Sequence, residues 1–159
     1  MWLIKPMPSS RRLFLKKTGT LAAGALLAGV SAKALAIEHT QHFAAGDFAA
    51  SYARLFAGQT IIDSDLLEMS LPDIAEDGAV VPITISSDLD DVERLYLFAD
   101  KNPTPLVAEF ELTPLVSTYL TARIKLAESC NVILIARRGD QLLRRSRWVK
   151  VVHGGCGVG

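Results

Sequence analysis

A lone thiol near the C-terminus, Cys156, sits in the run Val151-Val152-His153-Gly154-Gly155-Cys156-Gly157-Val158-Gly159. Thiolate sulfur is a nucleophile and a metal ligand, so the first question is what chemistry this placement permits. Its neighbours Gly154, Gly155 and Gly157 add no bulk and leave the backbone free to turn. Cys156 lies six residues beyond Lys150, an extended reach of at most roughly 20 Å. A sulfur carried this way can enter a narrow pocket on another protein. A catalytic cysteine would need the opposite design, a rigid shell holding a base and an orienting group. The segment 153–159 therefore reads as a delivery arm, with Cys156 as a covalent attachment point and Gly154, Gly155 and Gly157 giving flexibility. No catalytic residue, metal site or resident cofactor is expected. His153 and Cys156 at i, i+3 supply only two ligands, too few to indicate a metal.

The run leading to the arm is basic. Arg144, Arg145, Arg147 and Lys150 are candidates for electrostatic support, because cations favour the thiolate and draw small anions. The plainer reading is a solvated strand face. Alternation puts Arg145, Arg147, Val149 and Val151 on one side and Ser146, Trp148, Lys150 and Val152 on the other. Neither side is cleanly apolar, which predicts an edge or interface strand.

The other end of the chain reads as a targeting segment, 1–36. Ser10-Arg11-Arg12-Leu13-Phe14-Leu15-Lys16 fits the twin-arginine export pattern, and Leu21 to Val30 is an apolar run. Ala34-x-Ala36 offers the small residues a signal peptidase accepts. The apolar run is shorter than the roughly 20 residues of a membrane span, so no stable membrane anchor is expected. Twin-arginine export moves folded cargo, which implies a cofactor inserted beforehand or a partner that folds with it. The expected location is the periplasm. Removal of 1–36 leaves 123 of the 159 residues, one domain's worth. Six of the 17 Lys/Arg and none of the 17 acids precede Ile37, so 11 positive groups face 17 negative ones in the remainder. An acidic body of this kind argues against nucleic acid as a partner. The second cysteine, Cys130, permits one disulfide with Cys156, but a glycine tail is a poor anchor for a staple. In an oxidising compartment an idle exposed thiol is a liability, so Cys156 is expected to be used.

Gln41 to Ala57 carries Phe43, Phe48, Tyr52, Leu55 and Phe56 at near-helical spacing, with Gly58 as a stop. This predicts an amphipathic helix in a segment 37–58, covering its own sheet in preference to a second subunit. Residues 59–152 then change period. Seven short runs follow: DLLEMSLP, AVVPITIS, VERLYLFAD, LVAEFELT, YLTARIKLA, NVILIARR and LLRRSRWVKVV. They are separated by Pro, Gly, Asn and Asp, with tight turns expected at Asp77-Gly78 and Gly139-Asp140. Pro82 within a strand predicts an edge or bulge. The expected fold is all-β, an immunoglobulin-like antiparallel sandwich of about seven strands with one N-terminal helix.

LPDIAEDGAVVPITI, DKNPTPLVAEFEL, TARIKLAE and the terminal GGCG, with the twin-arginine leader, make the chain resemble the SoxY family of sulfur-oxidation proteins. The resemblance implies an immunoglobulin-like domain paired as a heterodimer with a SoxZ-like subunit, the two exported together. It further implies that Cys156 is a swinging-arm carrier of covalent sulfur in thiosulfate oxidation. A SoxAX-like c-type cytochrome would couple thiosulfate to it, and a SoxB-like dimanganese thiohydrolase would release sulfate and leave a persulfide. A SoxCD-like sulfane dehydrogenase would act on that persulfide in hosts that have one. Two departures stand out: the family usually ends Gly-Gly-Cys-Gly-Gly where this chain reads GGCGVG, and Cys130 stands where a serine or threonine is expected. Strand alternation makes Cys130 a small half-buried residue. Two other classes compete. A periplasmic thiol-disulfide enzyme would need a resolving thiol nearby, and a structural β-sandwich subunit would leave the glycine-flanked cysteine unexplained.

Overall fold

The computed structural model describes residues 41–152, all within one compact unit. The predicted leader, 1–36, and the predicted arm, 153–159, lie outside the described residues. Helix α1, Phe48–Phe56, comes first. Nine strands follow: β1 Ile61–Asp63, β2 Glu68–Ser70, β3 Ile74–Ala75, β4 Val81–Ser86, β5 Arg94–Ala99, β6 Leu106–Glu111, β7 Tyr119–Ile124, β8 Cys130–Arg138 and β9 Gln141–Val151. They form two sheets. One runs β1-β9-β8-β5-β6 with β3 also on β9, and the other runs β2-β4-β7. The seven runs expected from the sequence became β2 and β4 to β9. The two unforeseen strands, β1 and β3, are three and two residues long and pair in parallel with the last strand. Strands that short show no alternation, and their partner lies some 80 positions away in the sequence.

Two apolar layers hold the three tiers together. Between the sheets pack Leu67, Val81, Ile85, Leu95, Leu97, Val132, Leu134 and Val149, each 1% exposed or less. On the far face of the larger sheet, Tyr96, Phe98, Leu106, Ile133, Ile135 and Leu142 lie under α1. β5 and β8 are buried on both faces, which is why LYLFA and VILIA read as continuous apolar runs. α1 supplies Phe56, with Phe48, Tyr52 and Leu55 partly covered. Phe48 meets Phe98 edge-on at 5.8 Å, and Phe56 meets Tyr96 at 5.1 Å and 89°. Edge-to-face stacking adds to the area these rings bury.

The predicted helix from Gln41 to Ala57 is interrupted: Gln41 and His42 are helical, residues 43–47 are not, and Phe48–Phe56 forms α1. Gly46 takes φ +153°, and Asp47 caps the helix by accepting from the Ala50 N–H at 2.8 Å. An N-cap residue is by nature outside the helix, so apolar spacing in front of it carries no helical meaning. Gly58, at φ +75°, stands just past the end as expected. Gly139-Asp140 closes the β8–β9 hairpin, with Gly139 at φ +54°. The turn at Asp77-Gly78 is also present, but it passes the chain from one sheet to the other. Pro82 pairs with Arg123 of β7, while β2 stops pairing at Thr84, so its other side faces no strand.

Phe98→Ala removes the ring on which Phe48, Tyr52 and Phe56 converge. The expected loss is about 3–5 kcal/mol by urea unfolding, the usual cost of emptying an aromatic core site.

Candidate functional site

The segment that carries Cys156 follows β9 in the sequence, and β9 is held on both sides. β8 pairs with it from Gln141 to Val149. On the opposite side β1 pairs at Leu142 to Arg144 and β3 at Lys150 and Val151. The edge strand expected from the mixed alternation is therefore an interior one. Both of its faces are used, since Leu142 lies beneath α1 while Leu143, Val149 and Val151 enter the inter-sheet core.

The last residues of β9 are clamped. The Lys150 N–H donates to the Asp73 carbonyl and the Val152 N–H to the Ala75 carbonyl, both at 2.9 Å. The Ser129 hydroxyl accepts from the Val151 N–H at 2.9 Å and lies 3.4 Å from the Val151 carbonyl oxygen. Gly78 presses against this point: a Cβ there would sit 2.5 Å from the Leu126 carbonyl oxygen and 2.8 Å from Val151 Cγ1. Backbone order thus extends through Val152. Cys156 is four residues further on, so its reach from the last clamped residue is about 14 Å at most. That is shorter than the 20 Å counted from Lys150.

The four candidate cations separate into two kinds. Arg144 grips Asp63 through two bonds, Nε to Oδ1 at 2.7 Å and Nη2 to Oδ2 at 3.0 Å. Arg145 pairs with Asp65, and Arg147 Nη2 donates to Asp73 Oδ1 at 2.8 Å. The bond to Arg144 holds the Asp63 carboxyl below its ordinary value, and the same bond raises the guanidinium. All three arginines are more than a third exposed, so each pair adds little stability. Their positions have a structural logic. Residues 64–73 leave the larger sheet between β1 and β3, and Arg145 and Arg147 bridge to the ends of that excursion. Lys150 is different: it is exposed and has no acid partner among the described residues.

Cys130 is sealed. It opens β8 opposite Val149, is 0% exposed and is a free thiol. The half-buried position expected from alternation is in fact full burial, because Cys130 pairs with Val149 of β9 and its side chain enters the inter-sheet core. Burial, reinforced by the Asp100 carboxylate, pushes its thiol up to about 11. A thiol in that state is neither a disulfide partner for the arm nor a resolving cysteine.

Cys156, Gly154, Gly155 and Gly157 themselves lie outside the described residues. Among those described, no group of three or more His, Cys, Asp or Glu could hold a metal. A hollow of about 650 Å³ lies between the β4–β5 and β6–β7 loops, lined by Asp88, Asp90, Asp91 and Leu115 among others. It is at the opposite end of the sandwich from Val152. Sequence reasoning missed Ser129, Asp73 and Ala75, the residues that fix the root of the arm. Only the run of acids at Asp63, Asp65 and Asp73 hinted at a segment answering the basic last strand.

Two outcomes follow from the root. Ser129→Ala removes the hydroxyl that the Val151 N–H donates to, so exchange of that amide should accelerate at least tenfold, with a stability loss of about 1 kcal/mol. Cys130 should resist a thiol reagent in the folded protein at pH 8 and react once urea unfolds it. Its raised value means the folded state holds the proton more tightly, so stability should be intact below pH 8 and fall as pH rises toward 11. A pH series of urea midpoints, compared with Cys130→Ala, reads this out.

A family model described as "Sulfur oxidation protein SoxY" matches residues 52–156, from within α1 to the arm cysteine. Among solved structures, the sulfur carrier protein SoxY from Chlorobium limicola f thiosulfatophilum is similar, with 28% identity and a TM-score of 0.60. That match covers 67% of this chain and 97% of the other. No curated protein matched. With the match spanning well over half of its length, the β-sandwich and the cysteine beyond it, this chain belongs to the SoxY family of sulfur-oxidation proteins.

Proposed function

We propose that this protein is a covalent sulfur carrier of thiosulfate oxidation, with Cys156 as the only sulfur-bearing residue. The observation that supports this best is the fate of its two thiols: Cys130 is sealed in the core, while the family match runs on to end at Cys156. The similar Chlorobium protein is itself described as a sulfur carrier. The protein performs no catalysis; it presents a substrate to enzymes.

The Cys156 thiol and thiosulfate join through a new S–S bond, losing one proton and two electrons to a c-type cytochrome, and Cys156 becomes an S-thiosulfonate. A dimanganese hydrolase adds water to the terminal sulfonate sulfur. The S–S bond to it breaks, releasing sulfate and two protons and leaving a persulfide anion on Cys156. Where a sulfane dehydrogenase is present, it oxidises that outer sulfur further. The chain's own contribution is mechanical. A clamped root at Val152 and a glycine-rich lead present the sulfur to each enzyme in turn. Gly154, Gly155 and Gly157 keep the approach narrow, and Lys150 contributes an unpaired positive charge at the root. Export through the twin-arginine route to the periplasm, paired with a SoxZ-like subunit, completes the proposal.

Intact-mass analysis of the protein from thiosulfate-grown cells tests it. Adducts corresponding to added sulfur and thiosulfonate should map to Cys156 and be absent from Cys130. Cys156→Ser should abolish thiosulfate oxidation by the reconstituted system while leaving the urea midpoint unchanged. Retained oxidation in that variant would refute the carrier role.

A further inference from the structure

The outer face of the arm's root is bare where the rest of that sheet face is covered. α1 covers Leu142, Ile133, Ile135, Tyr96 and Phe98, at one end. At the other end, where the chain departs, the same face shows Trp148 at 55% exposure, Lys150, and Val152 at 42%. Alternation places these three side chains together along β9. Parallel pairing sets Ile74, 57% exposed, directly beside Lys150. Three exposed apolar side chains thus surround one unpaired ammonium group. The remaining cations of β9 are engaged with Asp63, Asp65 and Asp73.

We infer that this face, Ile74, Trp148, Lys150 and Val152, is where the enzymes that receive Cys156 seat themselves. It rests on the carrier reading and goes beyond it, assigning a docking surface on the folded body. Arm length makes the contact unavoidable. Cys156 can travel only about 14 Å from Val152, so an enzyme that draws the sulfur several ångströms into a pocket must bring the pocket's mouth against the root. The chemistry of the face states what that mouth offers: an apolar hollow for the indole, and a carboxylate opposite Lys150. Tryptophan is among the residues most able to anchor an interface, since it buries a large rigid area at small entropic cost. Four side chains make a contact well below the roughly 1,200 Å² of a stable complex, so binding is brief. Brief binding suits a carrier that must leave one enzyme before meeting the next. Because every such enzyme approaches the same root, they compete for it.

The test uses the mature chain with its partner subunit, loaded at Cys156 by tetrathionate, which transfers a thiosulfonate group to the thiol and releases thiosulfate. Loading is verified by intact mass for the wild type, Trp148→Ala and Lys150→Glu. Sulfate release by the dimanganese hydrolase is then measured over a range of carrier concentration. Each variant should raise KM about tenfold or more with kcat at saturation retained, and the cytochrome should show the same order of variants. Exchange of the Val151 amide should be unchanged, which separates docking from damage to the clamp. Unchanged KM in both variants overturns the docking face. So does a change of oligomeric state on Trp148→Ala without a KM effect, which would make the face a contact between subunits. A loaded wild-type chain that no enzyme turns over overturns the carrier reading, and the docking face with it.

Discussion

Everything in this molecule turns on the fastening of its last strand. β9 is bonded along one side to β8 and at both ends of the other side to β1 and β3. Among the described residues the last of its backbone bonds runs from the Val152 N–H to the Ala75 carbonyl. The two-residue β3 supplies that bond, sends Ala75 into the core and sets Ile74 beside Lys150.

The same constraint gives three of the four cations of the last strand an acidic partner. Residues 64–73 leave the larger sheet so that β2 can join the smaller one, and this departure opens a gap along β9. Arg145 and Arg147 close it against Asp65 and Asp73, while Arg144 fixes the parallel start at Asp63. Among the described residues, Lys150 is the cation of this strand left without an acid partner, and it stands beside the backbone clamp and an exposed apolar rim.

Cys130 sits where strand pairing and the inter-sheet core exclude water, and desolvation of the thiolate holds it protonated. A thiol in that state is inert toward other sulfur groups. Its burial also removes the resolving partner that a disulfide-exchange protein would use.

The all-β class, seven of the nine strands among the described residues and the β8–β9 turn were legible in the amino-acid sequence. These depend on local pattern: period-two alternation and glycine at a positive-φ turn. The helix was legible as an apolar face but not in its start, because Gly46 and Asp47 interrupt a spacing that runs straight through them. Tertiary structure alone decided that β9 is interior, that Arg145 and Arg147 are bridging groups, and that Cys130 is fully buried. It also decided that Ser129, Asp73 and Ala75 hold the backbone of Lys150 to Val152. Each of these rests on hydrogen bonds or packing between segments some 20 to 80 residues apart. Such pairings are chosen by how whole sheets fit together, and no local pattern encodes them.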